Sequence, residues 1–563
     1  YVHSAAQAEA ISAIVIENGV DVAVRDNMID GFGGVAIQLT SQMLRAMITN
    51  NTLSAVGVGV RLLGVASAAT NWLEQVYVEY NTITDVTTAA VLVDHTEGEL
   101  AGVVAEVCIC ANTIQQDASR LVADAALIDL RLRESVEDPY GPITVREIIL
   151  TLHGEREAGA VHGLRVRGAL HQLDVYDNIF AGDNVGAANA DGQPPSSGVY
   201  LQTDDAAYGV LPPTAQVLLT NNVITGFEQG VTVFDPLHSV FGGLPEGASV
   251  QLINNQIAGN RQFGVRNGDG VEVVALNNWW GDARGPGGAG PGAGDAISDN
   301  VAYCTWLNAP PPEGAAAGFV HNLTSGRDFC TINEAVADES TQDGDDLTAD
   351  ARVFVEQVSV SKSITLTGAG VGASIIQAPA SLTPAIGAAL FTISGDGVVA
   401  HVSNFTLAGP GDGVCGALRA GIAVHGGAQA EIHHNEIREM RNEPLQACAQ
   451  GVGIAVGNTS LASPGVATIA HNYITGYQKA GVVVSGAGAH ATLTNNRIEG
   501  AGPTGVLVQN GVQVSYGATA TITGNTITGH AFTPFSLVST GILLYRADAD
   551  TNGNLLRDNQ VGI

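Results

Sequence analysis

An all-β solenoid of stacked parallel strands is the fold class the sequence predicts, and three observations predict it. Between His471 and Gly505 one unit occurs twice: a short apolar strand, a polar link, a second strand, then Asn-x-Ile and a Gly turn, with its Asn at Asn472 and Asn496. The same Asn recurs at Asn27, Asn51, Asn81, Asn112, Asn178, Asn222, Asn255 and Asn278, and again at Asn435, Asn525 and Asn559, with most gaps between 23 and 37 residues. A unit this short cannot bury its own apolar face, so it must stack on copies of itself. The third observation is composition: 70 glycines, 5% aromatic and 14% charged residues suit a thin, tightly turned aliphatic core.

Each position of the unit has a physical reading. Asn is expected in the left-handed backbone conformation of the turn between strands. The Ile, Leu or Val two residues later points inward, and strands stacked about 4.8 Å apart form parallel sheets.

Taken in order, residues 1–307 read as the later part of a β-helix. The Asn is missing from Leu121 to Gly168, yet alternation persists in A-L-I-D-L-R-L-R and I-T-V-R-E-I-I-L-T-L-H, so the coils are expected to continue. In V-C-I-C-A-N-T-I, Ile109 aligns with inward positions and turns Cys108 and Cys110 outward, two residues apart and too distant for an easy mutual disulfide; a metal, an intermolecular bond or ordinary surface thiols stay open. Trp279 and Trp280, in N-N-W-W-G-D-A-R-G-P, replace a small aliphatic pair and read as a cap over the core. Residues 308–326 read as a Pro- and Gly-rich linker. Residues 327–563 then read as a beginning: a short helix near Thr331 to Ala337 after an Asp or Thr cap, alternating strands, and from Ile422 the Asn coils again.

The formal net charge of −32, with two lysines (Lys362 and Lys479) against 21 arginines, argues against a nucleic-acid partner. No apolar run approaches the length of a membrane span. Residues 1–30 lack the basic start and apolar segment of a signal peptide, so the chain is expected to be mature or trimmed. Six cysteines fit an oxidising, extracellular compartment. Cys415 and Cys448 each precede an equivalent Gly-Ile-Ala-Val strand by six or seven residues, so stacking places them on adjacent coils within disulfide range. Cys304 and Cys330 flank the linker and are candidates for a second bridge.

Together the Asn-x-Ile coils, the N-N-W-W-G-D-A-R-G-P segment with Y-C-T-W-L, and T-I-N-E-A-V followed by S-I-T-L-T-G-A-G resemble the pectate-lyase-like right-handed parallel β-helix superfamily, closest to secreted bacterial proteins with NosD-type repeats. The resemblance implies the right-handed fold. It leaves function open, because polysaccharide lyases, glycosidases, adhesins and structural proteins share that fold.

Of the polygalacturonase-like motifs only an Asp pair, Asp204–Asp205, is present; Gly-His-Gly, R-I-K and the pectate-lyase R-x-P-x-x-R are not. Asp94, His95, Glu97 and Glu99 offer carboxylates for glycosidic acid–base work or form a solvated loop. His434 and His471 precede equivalent asparagines and are expected to stack, as a metal pair or a plain side-chain ladder. Asp548, Asp550, Asn552 and Asn554 repeat the start of a calcium loop, although its twelfth position is Asn559 instead of a carboxylate, and calcium is the one cofactor suggested. Asn322, Asn404 and Asn458 begin N-x-S/T triplets.

The function expected is therefore a non-catalytic extracellular structural or adhesive protein. Its alternative is a carbohydrate-active enzyme, a lyase or hydrolase, acting on an extracellular polysaccharide. Because D-N-Q-V-G-I followed by Y-V-H reads as one uninterrupted coil, copies are expected either to stack head to tail into an open filament or to follow one another covalently in a tandem array.

Overall fold

The computed structural model describes residues 2–3, 12–65, 72–97, 103–122, 124–132, 142–154, 159–168, 170–183, 195–202, 204–205, 209–234, 244–268, 270–382, 388–409, 415–443, 445–458 and 462–563. These form two compact units, Tyr1–Ala317 and Gly318–Ile563. Both are built almost wholly of parallel strands, and the chain is a right-handed parallel β-helix in class. Among the described residues no helix is long and apolar enough to cross a membrane.

In the second unit each coil supplies one strand to each of three sheets, of 10, 8 and 7 strands. Parallel register stacks like on like. Ile432, Ile469, Leu493 and Ile522 form one inward column, and Ile437, Ile474, Ile498 and Ile527 another. All eight side chains are fully buried, each contributing on the order of 1.5–3 kcal/mol of transfer free energy. The first unit repeats the arrangement with a nine-stranded and a 19-stranded sheet. Its coils continue without Asn through Ala125–Leu132, Ile143–Arg146 and Val161–Gly168, as the alternation predicts.

The repeated Asn does a different job from the one expected. The left-handed residue is the one before it: Tyr80, Ala111, Asn221 and His471 have φ of 55°, 51°, 56° and 58°. The Asn itself is buried and points along the stack. Asn496 Oδ1 accepts from the backbone N–H and Nδ2 of Asn472 at 3.0 and 3.1 Å, while its own Nδ2 donates to Asn525 Oδ1 and to the Ile469 carbonyl. Ladders of this kind link Asn27 to Asn112, Asn178 to Asn278 and Asn435 to Asn554. Each satisfies backbone groups that a tight corner would otherwise strand in the core. The last rung is Asn554. Asn559, expected in the series, sits at another corner, where Oδ1 accepts from His530 and Nδ2 donates to the Ile527 carbonyl.

One further expectation changes on folding. Residues 308–326 are not a bare linker: Ala316–Ala317 pairs antiparallel with Trp306–Leu307, and Val320–Asn322 pairs with Arg327–Phe329 and Asp346–Ala349. Backbone pairing outweighs the Pro and Gly content on either side. The short helix is Ile332–Ala337, where expected, and of the two cap types Thr is the one used: Thr331 caps it in a box with Glu334. Trp280 is fully buried against Gly264 in the late coils of the first unit, and the Trp306 indole N–H donates to the Ala283 carbonyl.

Candidate functional site

The densest chemistry lies on the outward face of the first unit. Strands Val58–Val65, Ala89–Glu97, Ala125–Leu132, Val161–Gly168 and Ser197–Gln202 stack in parallel. Their inward residues, such as Leu130 and Val166, are aliphatic and fully buried. The alternate positions carry charge, and register sets Asp129 beside Arg165 and Arg131 between Asp94 and Arg167.

Asp129 is 1% exposed and accepts from three guanidinium groups: Arg165 Nη2 at 3.0 Å, Arg167 Nη2 at 2.8 Å and Arg131 Nε at 2.9 Å. Arg165 also donates Nη1 to Asp124 at 2.9 Å, and one coil stack away Arg61 holds Asp94 at 2.6 Å. Burial alone would raise the Asp129 carboxyl; the charges of Arg165, Arg167 and Arg131 outweigh it and hold the group at about 2. The Asp124 carboxyl is likewise opposed by burial yet held well below the ordinary range, with the Arg165 guanidinium the cation bonded to it. Burial also works against the Arg165 charge, but Asp129 and Asp124 raise its pKa on balance. His162 is fully buried, 4.8 Å from the Tyr200 ring, and burial lowers its pKa. Its Nε2 lies 3.7 Å from Asp124, beyond hydrogen-bond reach, and neither ring nitrogen has a hydrogen-bond partner among the described residues. Chemically this is a permanently charged cluster with a neutral imidazole at its edge.

Of the candidate acid–base carboxylates singled out in the sequence, only the Asp94 side chain is among those described. It belongs to this face, bound to Arg61. His95 and Glu97 lie on the same strand, but their side chains, and Glu99 altogether, fall outside the described residues. Asp204–Asp205 forms a two-residue strand antiparallel to Gly209–Val210, and this hairpin packs near Val161–Gly168; its side chains are also outside the described set.

In the second unit, the His434 and His471 rings stack 5.1 Å apart at 16°, as expected for adjacent coils. His433 Nδ1 lies 3.1 Å from His434 Nδ1, and His401 Nδ1 lies 2.9 Å from Glu431. The calcium-type sequence does not form a loop. Asp548–Asn552 is a strand whose Asp548, Asp550 and Asn552 side chains are exposed at alternate positions, and Asn554 is committed to the ladder. Alternate strand residues stand about 6.5–7 Å apart, too far to wrap one cation. Ladder pairing with Thr519–Thr523 outweighs the loop propensity of the Asp-x-Asp-x-Asn pattern.

Cys415 and Cys448 are bonded, with Cα atoms 5.7 Å apart, in agreement with the stacking argument. Cys304 and Cys330 are also in the disulfide state. Cys108 and Cys110 are bonded to each other, contrary to expectation: their Cα atoms are 5.5 Å apart, closer than the ideal strand spacing assumed from the sequence. They face away from the core, as expected, but are buried.

Asp129, Arg165 and Arg167 were not singled out from the sequence. The available signal was charge at alternate positions of otherwise aliphatic strands, in L-I-D-L-R-L and L-R-V-R. Without an Asn in those coils, no register linked one strand to the other.

Fold and site define a class, the right-handed parallel β-helix proteins. Within it, residues 420–563 match the family described as the right handed beta helix region. A solved structure titled "Structure of PL6 family alginate lyase AlyGC" is similar at 11% identity and a TM-score of 0.23, covering 97% of this chain and 100% of that one. At that TM-score it carries no argument about activity. No curated protein sequence matches the chain.

Proposed function

We propose that this chain is a non-catalytic extracellular β-helix protein with a structural or adhesive role. The carrying observation is the state of the ionic cluster. Asp129 is saturated by three guanidinium groups, Arg165 is raised further into its charged form and burial lowers the His162 pKa, so none of these three described groups is poised to exchange a proton near neutral pH. General acid–base catalysis needs such a group. The Cys415–Cys448 bridge supports an oxidising, secreted setting. Head-to-tail stacking of copies belongs to the same reading and is tested below by hydrogen exchange.

The alternative, a carbohydrate-active enzyme, draws on one feature: the Asp204–Asp205 hairpin beside the strand of His162 and Arg165. Incubation with a panel of acidic and neutral polysaccharides separates the two readings. No released oligosaccharide is expected; product that disappears on Asp204→Ala or Glu97→Ala replaces the structural reading with the enzymatic one.

A further inference from the structure

The Cys108–Cys110 pair adjoins a carboxylate, Glu79, that is unengaged among the described residues. Both cysteines project from the outer side of Val103–Cys110, since Val107 and Ile109 fill the core on the other side. In register, Cys108 lies between Tyr77 and Thr144, and Cys110 between Glu79 and Arg146. Ligand atoms of Glu79, Cys108 and Cys110 all lie within 4.8 Å of one another. Glu79 also lines a cleft of about 450 Å³ shared with Asp21, Arg45, Met47 and Tyr77. The other acids here are engaged: Asp21 pairs with Arg45 at 2.7 Å, and Glu106 accepts from Tyr77 at 2.9 Å. The Glu79 carboxylate makes no hydrogen bond or ion pair among the described residues.

We propose that Glu79, Cys108 and Cys110 form a redox-gated site for a thiophilic divalent cation of the zinc and cadmium class. In the bonded state both sulfurs are occupied and the site is closed. A low-molecular-weight thiol opens it: two reductant thiols are oxidised to their disulfide, the Cys108–Cys110 bond breaks, and each cysteine sulfur gains a proton. Cation binding then displaces those two protons to solvent and forms two metal–thiolate bonds, with Glu79 as the third ligand. Tetrahedral zinc with thiolate and carboxylate ligands needs donor separations of about 3.5–3.8 Å, which side-chain rotation reaches from the present spacing. Water entering from the cleft completes the fourth position, and the acidic chain concentrates cations around it.

The test is cadmium titration of the full chain, before and after phosphine reduction and removal of the reductant, read by the thiolate-to-cadmium charge-transfer band and by equilibrium dialysis. The oxidised chain is expected to show no band. The reduced chain is expected to bind one cadmium through this site, and Cys415→Ser/Cys448→Ser to retain it. Glu79→Gln, which preserves shape, should weaken binding at least tenfold, and Cys108→Ser/Cys110→Ser should abolish the band with an unchanged far-ultraviolet spectrum. A band that survives in Cys108→Ser/Cys110→Ser, an affinity unchanged in Glu79→Gln, or no band in the reduced chain overturns the proposal.

Discussion

The Asn496 side chain makes four hydrogen bonds to three residues, so its removal costs more than one hydrogen bond. In Asn496→Ala the Asn472 backbone N–H and the Ile469 carbonyl lose this partner, while Asn525 Oδ1 keeps the backbone N–H of residue 496 and Asn472 Nδ2 keeps the Ile432 and Ala470 carbonyls. At about 1–3 kcal/mol for each buried group left unpaired, partly relieved by relaxation, a loss of roughly 2–4 kcal/mol is expected in urea unfolding. An exposed-site control such as Arg557→Ala should change the midpoint little. The spacing of this residue was readable in the sequence, but its role was not. A left-handed turn and a buried amide ladder both favour Asn, and only coordinates separate position 471 from 472. His530 gives a second residue-scale expectation. It is buried beside the Tyr477 hydroxyl, with Nδ1 2.7 Å from Asn559 Oδ1, and burial lowers its pKa to about 4. The unfolded histidine takes a proton near pH 6.5 and the folded one only near 4. Stability is therefore complete above pH 6.5 and falls as the pH drops towards 4, by roughly 3 kcal/mol. Urea midpoints measured across that window should fall more steeply in the wild type than in His530→Gln; equal slopes would reject the assignment.

At the scale of the element, the short strands are limited by how closely coils approach. A Cβ added at Gly481 would lie 2.4 Å from Ile498 Cγ2 and 2.8 Å from the Gly511 carbonyl. Neither neighbour can yield easily, because Ile498 is core and Gly511 is backbone of the next coil. Gly481→Ala is expected to cost about 1–3 kcal/mol, whereas Gly553→Ala, with no atom near the added carbon but φ at 63°, should cost about 1 kcal/mol through backbone strain alone. Thermal unfolding of the two variants ranks them. Strands were the most legible elements, since alternation and Asn-x-Ile each point to an inward residue. The failures occurred where local chemistry competed with pairing. Asp548 to Asn554 reads as a cation loop until the ladder to Thr519–Thr523 is known. Cys108 and Cys110 read as separated thiols if ideal strand spacing is assumed, and their link to Glu79 crosses 29 residues that sequence spacing alone does not bridge.

For the whole molecule, nearest-neighbour stacking means that stability is a property of each coil's two interfaces. Tyr473–Thr475 pairs with Glu436–Arg438 on one side and Arg497–Thr504 on the other. Leu555–Arg557 pairs with Thr526–Phe532 on one side only among the described residues, and Leu555 is 53% exposed. Hydrogen exchange should therefore grade along the second unit, slowest near residues 473–475 and fastest near 555–557. The same measurement tests head-to-tail association. A partner coil stacked on Leu555–Arg557 would pair its free edge and cover Leu544 and Leu555, so protection there should rise with protein concentration while residues 473–475 stay unchanged. Fast exchange at 555–557 that does not depend on concentration, up to the highest soluble concentration, would reject stacking between copies. The fold assignment would be untouched, because the gradient from the middle coils outward rests on pairing within one chain.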